Sequence, residues 1–307
     1  MCRHRKRKNK EQRLDIEIRG QSSRFWIVLH FRLAYWRASG LANILEQILA
    51  DKRAEVDERR KGRSLEELRE QVGSMSKCRN FYKAVTRRNS RGLNVIAEVK
   101  KASPSAGIIR EDFDAVAIAR TYKKCGADAI SVLTDEKYFQ GRLEYISQIK
   151  KAVDLPVLRK DFIIDQWQVY ESRAAGADAI LLIAEALPAG ELMDLMITAA
   201  ELTLTVLLEV HGADTLMQVR SVIGFPKKGY SVLGINNRDL ATMEVDLNTT
   251  GRLAGLLDNK DELVAESGIK TRGDVEKLKS AGVRAVLVGQ VLCESDDIEG
   301  KFGELFG

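Results

Sequence analysis

Groups able to move protons recur in this chain at one kind of place, the end of a short apolar run. "VIAEVKKASPSAG" (95–107) carries Glu98 and Lys100, and "LPVLRKDF" (155–162) carries Arg159, Lys160 and Asp161. "LTVLLEV" (204–210) gives Glu209, "SVLGINNRDL" (231–240) gives Asn236, Asn237 and Arg238, and "ELVAESGI" (262–269) gives Glu266, Ser267 and Gly268. Ammonium and carboxylate groups set close together suit general acid–base work, in which one group gives a proton and another takes one. Taken singly, each has a structural explanation. Glu98 and Lys100 read equally well as an ion pair at a rim, Lys160 and Asp161 as a solvated strand end, and "KASPSAG" as a surface turn. The catalytic reading rests on their repetition at the same kind of position.

That repetition depends on the elements that carry it. Val-, Ile- and Leu-rich runs occur at 94–99, 128–133, 155–159, 178–183, 204–210, 231–236, 262–267 and 285–289. About one crossover helix with its loops separates each from the next. The phrases "CGADAISVL", "AGADAILLI" and "AGVRAVLVG" repeat a pattern. In it a glycine ends a helix and a fully buried strand begins. Strands alternating with helices predict a parallel sheet, and eight of them fit a (β/α)8 TIM barrel. A doubly wound dinucleotide fold is disfavoured, because the loop after the first run is "KKASPSAG" and holds no G-x-G-x-x-G. Extra N-terminal helices precede the barrel. Leu41, Ile44, Leu45, Ile48 and Leu49 share one helical face, and Ser64 with Glu67 forms a capping box before "LEELREQV".

In such a barrel the C-terminal strand ends face the active site, so the residues above converge on one mouth. Within strand one, Glu98 and Lys100 are two apart and point the same way. Barrels often bind phosphate at the loops after strands seven and eight and at a helix N-terminus. Gly268 and Gly289 stand at those two places, with Gln290 next, so a phosphate ester is the expected substrate class.

The chain has 307 residues, 45% hydrophobic and 30% charged, with a net charge of +5. Residues 1–39 hold eleven Lys or Arg against three Asp or Glu, which leaves a net −3 for residues 40–307. Nucleic-acid or membrane-surface binding would therefore belong to the leader and not to the barrel. The leader's apolar stretch, Phe25–Trp36, is interrupted by Arg32 and too short to span a bilayer. Its acids argue against a transit peptide, so organelle targeting has weak support. Residues 1–39 are expected to be a basic leader, disordered or not native, and 40–307 the catalytic domain. Cys2, Cys78, Cys125 and Cys293 form no C-x-x-C, and His4, His30 and His211 form no cluster. A zinc ribbon and a disulfide framework are both disfavoured, no metal is expected, and a reducing, cytoplasmic location is.

"VIAEVKKASPSAG", "SVLTDEKYFQG", "LPVLRKDFII", "GADAILLI", "LLEVH", "GINNRDL" and "VAESGI" occur in order from about residue 40 onward, and together they resemble the indole-3-glycerol phosphate synthase family. The resemblance implies ring closure, decarboxylation and dehydration of 1-(2-carboxyphenylamino)-1-deoxyribulose 5-phosphate, without metal or organic cofactor. It also implies a monomer or weak oligomer whose partner is the small phosphorylated substrate. By the same resemblance Lys160, Glu209, Lys100, Glu98 and Asn236 are catalytic. Ser103, Phe139, Phe162, Arg238, Glu266 and Ser267 bind substrate, with the two phenylalanines lining the anthranilate pocket. Lys100, Gly268, Gly289 and Gln290 bind phosphate. Gln290 departs from the family, which usually has Glu, Thr or Ser there. His211 receives no role and is expected to be structural or at the surface. Another phosphosugar barrel, such as a phosphoribosylanthranilate isomerase, is the runner-up, but it would be expected to place a Cys or Asp pair where Lys160 and Glu209 stand.

Overall fold

The computed structural model describes residues 44–220, 228–240 and 242–307; the leader over 1–39 and Leu41 lie outside them. Helix α1 (Ile44–Gly62) buries Leu45, Ile48, Leu49, Lys52 and Val56, the three-and-four spacing of one helical face. Ser64 caps α2 (Leu65–Gly73). Its hydroxyl accepts from the Glu67 backbone N–H at 3.2 Å, and the Glu67 carboxylate accepts from the Ser64 backbone N–H at 2.7 Å. A cap of this kind is worth about 1 kcal/mol. A third short helix, α3 (Phe81–Thr86), follows.

Eight parallel strands then close on themselves: β1 (Asn94–Val99), β2 (Ala129–Leu133), β3 (Val157–Lys160), β4 (Ala179–Ile183), β5 (Thr205–Val210), β6 (Ser231–Asn236), β7 (Leu263–Glu266) and β8 (Ala285–Val288). Each pairs with the next in sequence, and β8 returns to β1 with Ile96 opposite Leu287. The expected eight runs are therefore the eight strands. Gly126, Gly176 and Gly282 lie one residue past the C-caps of the helices Ala115–Lys124, Gln166–Ala174 and Arg272–Ser280, with φ of 88°, 96° and 88°. That left-handed conformation is open to glycine without a Cβ clash, which explains the repeated phrase before strands β2, β4 and β8.

Alternation along the strands divides the core in two. Val95, Ala97 and Val99 face the surrounding helices. Ile96 faces the barrel axis with Leu158, Leu181, Leu207, Val232, Val264 and Leu287. Phe81 and Val85 of α3 join this inner cluster and close the N-terminal end of the barrel. Asn94, at the start of β1, pins α3 there by donating to the Val85 and Arg87 carbonyls, each at 2.9 Å. Among the described residues no helix is long and apolar enough to cross a membrane.

Candidate active site

The inward files that begin apolar end in polar groups. Above Ile96 stands Glu98, above Leu158 Lys160, above Leu207 Glu209, above Val232 and Gly234 Asn236, and above Val264 Glu266. Glu98, Glu209, Asn236 and Glu266 are all buried. The register aligns them across the sheet, with Asn236 opposite Glu266 and Glu209 opposite Gly234. Gly234 has a spatial reason. A Cβ there would stand 2.3 Å from Glu266 Oε1, so only glycine leaves the carboxylate its place.

Lys160 occupies the centre. Its Nζ lies 3.3 Å from Glu209 Oε2 and 3.5 Å from Glu266 Oε2. Burial by itself favours the neutral amine, but the surrounding charges of Glu209, Glu266 and Glu98 outweigh it and raise the pKa, so Lys160 carries its proton at neutral pH. Glu209 and Glu266 diverge. Burial raises both. Lys160 and His211 reverse this for Glu209 and hold it below the usual carboxylate range, whereas the Glu209 charge lifts Glu266 further. Of the two neighbouring carboxyls, the surroundings favour the charged form of Glu209 and the neutral form of Glu266. Beside them the Lys100 Nζ lies 2.7 Å from Glu98 Oε1 and 5.8 Å from the centre of the Phe139 ring.

These groups line an open cleft at the C-terminal ends of the strands. One wall is apolar. Phe139 and Phe162 meet there with ring centres 6.2 Å apart, near Leu133, Leu181, Ile183 and Leu240. Helix α1 completes this wall with Ile44, Leu45 and Ile48. On the opposite side a polar recess of about 510 Å³ is lined by Ser267, Gly268, Gly289 and Gln290, with Lys100 and Arg238 at its edge. Ser267 and Gly268 both have positive φ, 64° and 83°. Asn237 holds this turn by donating to the Glu266 and Ser267 carbonyls at 3.0 and 3.1 Å. A left-handed serine is uncommon and persists where its surroundings enforce it. Among the described residues no group of three or more His, Cys, Asp or Glu is arranged to hold a metal ion.

The residues to which the family resemblance gives a role come together here, whereas Arg159 turns outward to Glu171 and Ser172 and Asn237 lies beneath the Ser267 turn. Glu98, Lys100, Ser103, Phe139, Lys160, Phe162, Glu209, Asn236, Arg238, Ser267 and Gln290 line the cleft, and Glu266, Gly268 and Gly289 line the recess. Several details differ from expectation. The helix after β7 starts only at Arg272, three residues beyond the recess-lining Ile269, and the box of Thr271 and Asp274 takes up the Thr271 and Asp274 N–H groups at its first turn. Gly289 has a φ of −132°, and its absent side chain makes room for a neighbour: a Cβ there would lie 2.8 Å from Glu98 Cβ. Lys160 and Asp161 are not a solvated strand end, since Asp161 is buried against Lys52 and Arg159 at 2.9 Å each. His211 is half-buried, with its Nε2 3.2 Å from Glu209 Oε1, which favours the structural alternative of the two expected for it.

A closed parallel barrel with a charged mouth, an apolar wall and a glycine-lined recess at the C-terminal strand ends defines a (β/α)8 enzyme architecture. A family model described as indole-3-glycerol phosphate synthase matches residues 45–305, and the chain belongs to that family. A relative of that description from Geobacillus kaustophilus is 50% identical over 264 residues, 86% of this chain and 97% of its own. Another, from Neisseria meningitidis serogroup B, is 45% identical over 267 residues, 87% of this chain and 100% of its own. Among solved structures, a 3-hexulose-6-phosphate synthase superposes with a TM-score of 0.55 at 16% identity, covering 69% of this chain and 98% of its own. A tryptophan synthase alpha-subunit from Pyrococcus furiosus gives 0.51 at 12%, covering 69% and 97%. These two likenesses concern the fold.

Proposed function

We propose that this carboxy-lyase forms indole-3-glycerol phosphate from 1-(2-carboxyphenylamino)-1-deoxyribulose 5-phosphate with Lys160 as the acid of ring closure. The carboxyphenyl ring lies against Phe139 and Phe162, and the phosphate occupies the recess at Gly268, Gly289 and Gln290. The reacting ketone then falls between them, over Lys160. The aromatic carbon bearing the carboxylate attacks the ketone carbon, and the ketone oxygen takes the Lys160 proton to become a hydroxyl. Carbon dioxide leaves, and its bonding electrons return to the ring. The hydroxyl then departs as water with an added proton, while the neighbouring carbon gives one up to form the double bond. Glu209 serves in that last exchange. Glu98 orients the anilino nitrogen, Asn236 the substrate hydroxyls, and Lys100 the carboxylate or phosphate. Ser103, Arg238, Glu266 and Ser267 complete the contacts.

The observation that carries this reading is the Lys160 ammonium held between Glu209 and Glu266, with the apolar wall on one side and the recess on the other. We take residues 40–307 as the catalytic domain, since α1 supplies part of the cleft wall. A reducing cytoplasmic setting suits the free thiols of Cys78, Cys125 and Cys293. The test is Lys160→Ala, assayed by the fluorescence of the indole product. Turnover should fall ~10²–10⁴-fold, the usual worth of a general acid, with substrate binding retained. A variant keeping more than about a tenth of wild-type turnover would refute the assignment.

A further inference from the structure

His211 follows β5 directly, two residues beyond Glu209, and its ring stands between two carboxylates. Its Nδ1 lies 3.0 Å from Glu185 Oε2, and its Nε2 lies 3.2 Å from Glu209 Oε1. Glu185 belongs to the single helical turn Ala184–Ala186 after β4. Its other oxygen accepts the His211 backbone N–H at 2.9 Å. The Glu185 carboxylate thus grips the histidine twice, once through the backbone and once through the ring. A neutral imidazole has one N–H and one lone pair, so it would turn that lone pair toward one of the two carboxylates. Only the imidazolium offers a proton to both. Burial opposes this charge, but Glu185 and Glu209 outweigh burial and lift the pKa of His211 to about 10.

Glu209 therefore faces a different cation at each oxygen: Lys160 donates to Oε2 at 3.3 Å, and His211 Nε2 stands 3.2 Å from Oε1 in an ion-pair contact that is close but not aligned as a hydrogen bond. Glu266, the third carboxyl of the group, has Lys160 at 3.5 Å and the Glu209 carboxylate as its close neighbours, with no second cation of its own. The charged groups facing this arrangement are Glu185 from the turn after β4, Lys160 from β3, Glu209 from β5 and Glu266 from β7. We infer that His211, fixed by Glu185, is a positioning residue: its imidazolium clamps one oxygen of Glu209 so that the other faces Lys160 and the substrate. The inference rests on Glu209 serving in the reaction.

The test is to measure kcat and KM between about pH 6 and 9.5, a span that brackets the ordinary imidazole pKa. The proteins are the wild type, His211→Asn, Glu185→Gln, Glu209→Gln and the double variant His211→Asn/Glu209→Gln. His211→Asn should lower kcat about ten- to a hundred-fold, as loss of one charge-assisted hydrogen bond does, and leave KM unchanged. Glu185→Gln should drop the imidazole toward its ordinary pKa near 6.5, so that kcat is near wild type at the acid end and falls as pH rises. The wild type should hold its kcat until pH approaches about 10, where its own imidazole loses the proton. Recovery of Glu185→Gln at low pH cannot come from a misfolded protein. The double variant should be no slower than Glu209→Gln, because the histidine acts through that residue. Superimposable pH profiles for wild type and Glu185→Gln, or unchanged kcat in His211→Asn beside an inactive Glu209→Gln, would overturn the inference and leave the role of Glu209 intact. A fully active Glu209→Gln would instead remove that role, and the inference with it.

Discussion

Two clusters of buried charge meet at the end of β3, and consecutive residues belong to different ones. Arg159 and Asp161 face outward into a saturated network. Arg159 donates to Glu171 Oε2 at 2.8 Å, to Ser172 Oγ at 3.1 Å and to Asp161 Oδ2 at 2.9 Å. Lys52, from α1, sits 2.8 Å from Asp135, 2.9 Å from Asp161 and 2.7 Å from Glu55. Thr134 donates to Asp161 at 2.6 Å. Lys160, between them in sequence, faces inward, where its contacts are 3.3 and 3.5 Å and both Glu266 oxygens lack an aligned partner. In a low dielectric both arrangements carry large energies, but only the first spends all its donors and acceptors within the protein. The outward cluster bolts α1 to β3, and the inward cluster keeps capacity for a ligand.

Removing a lysine from each side tests that division. Lys160→Met should abolish product fluorescence by the ~10²–10⁴ factor of a lost general acid while moving the thermal midpoint less than the outward variant does, since His211 still stands 3.2 Å from Glu209 and the surroundings of Glu266 already favour its neutral form. Lys52→Met should do the reverse and destabilise by about 3–5 kcal/mol in chemical denaturation, because carboxylates stay buried without their cation. Equal thermal losses in the two variants would erase the distinction. A smaller effect belongs to the recess. Inorganic phosphate at a hundred times its Kd should stabilise the wild type by ~2.7 kcal/mol, and Gly268→Ala should lose most of that protection. A Cβ at Gly268 must accept a φ of +83° and stand 2.6 Å from Val245 Cγ1, which reshapes the turn. Undiminished protection would move the phosphate elsewhere. Least of all, a chain starting at Leu41 should match the full chain in kcat and thermal midpoint, since both clusters lie within the described residues; an inactive product would make the leader part of the site.

The strands were legible because each is a buried, β-branched run bounded by a helix-ending glycine, a pattern that survives without tertiary knowledge. Glu98, Lys160, Glu209, Asn236 and Glu266 were legible for a related reason, as polar residues closing apolar runs at inward-facing positions. Lys52 was not. A lysine on an amphipathic helix reads as solvated, and nothing local announces that Asp135 and Asp161 converge on it from two other loops. Glu185 was equally hidden, because its partner lies on the following strand and the turn that carries it has no distinctive chemistry. Gly289 was noticed for its place after the last strand, and the sequence did not reveal the second demand on it, the room it leaves for Glu98 on the neighbouring strand β1.

Gly234 and Gly289 also bear on how such a barrel can drift over generations. Each occupies space that a carboxylate needs, Gly234 for Glu266 and Gly289 for Glu98. While the acid is present, alanine at the glycine is purged. Once a lineage has shortened Glu266, Gly234 loses its 2.3 Å conflict and an alanine can settle there, whereas at Gly289 the Glu98 Cβ, 2.8 Å away, opposes it as long as position 98 carries any side chain. Restoring the glutamate afterwards then fails, because its place is filled, and a single back-substitution no longer rescues the enzyme. Loss of activity in this architecture works as a ratchet whose pawl is one methyl group.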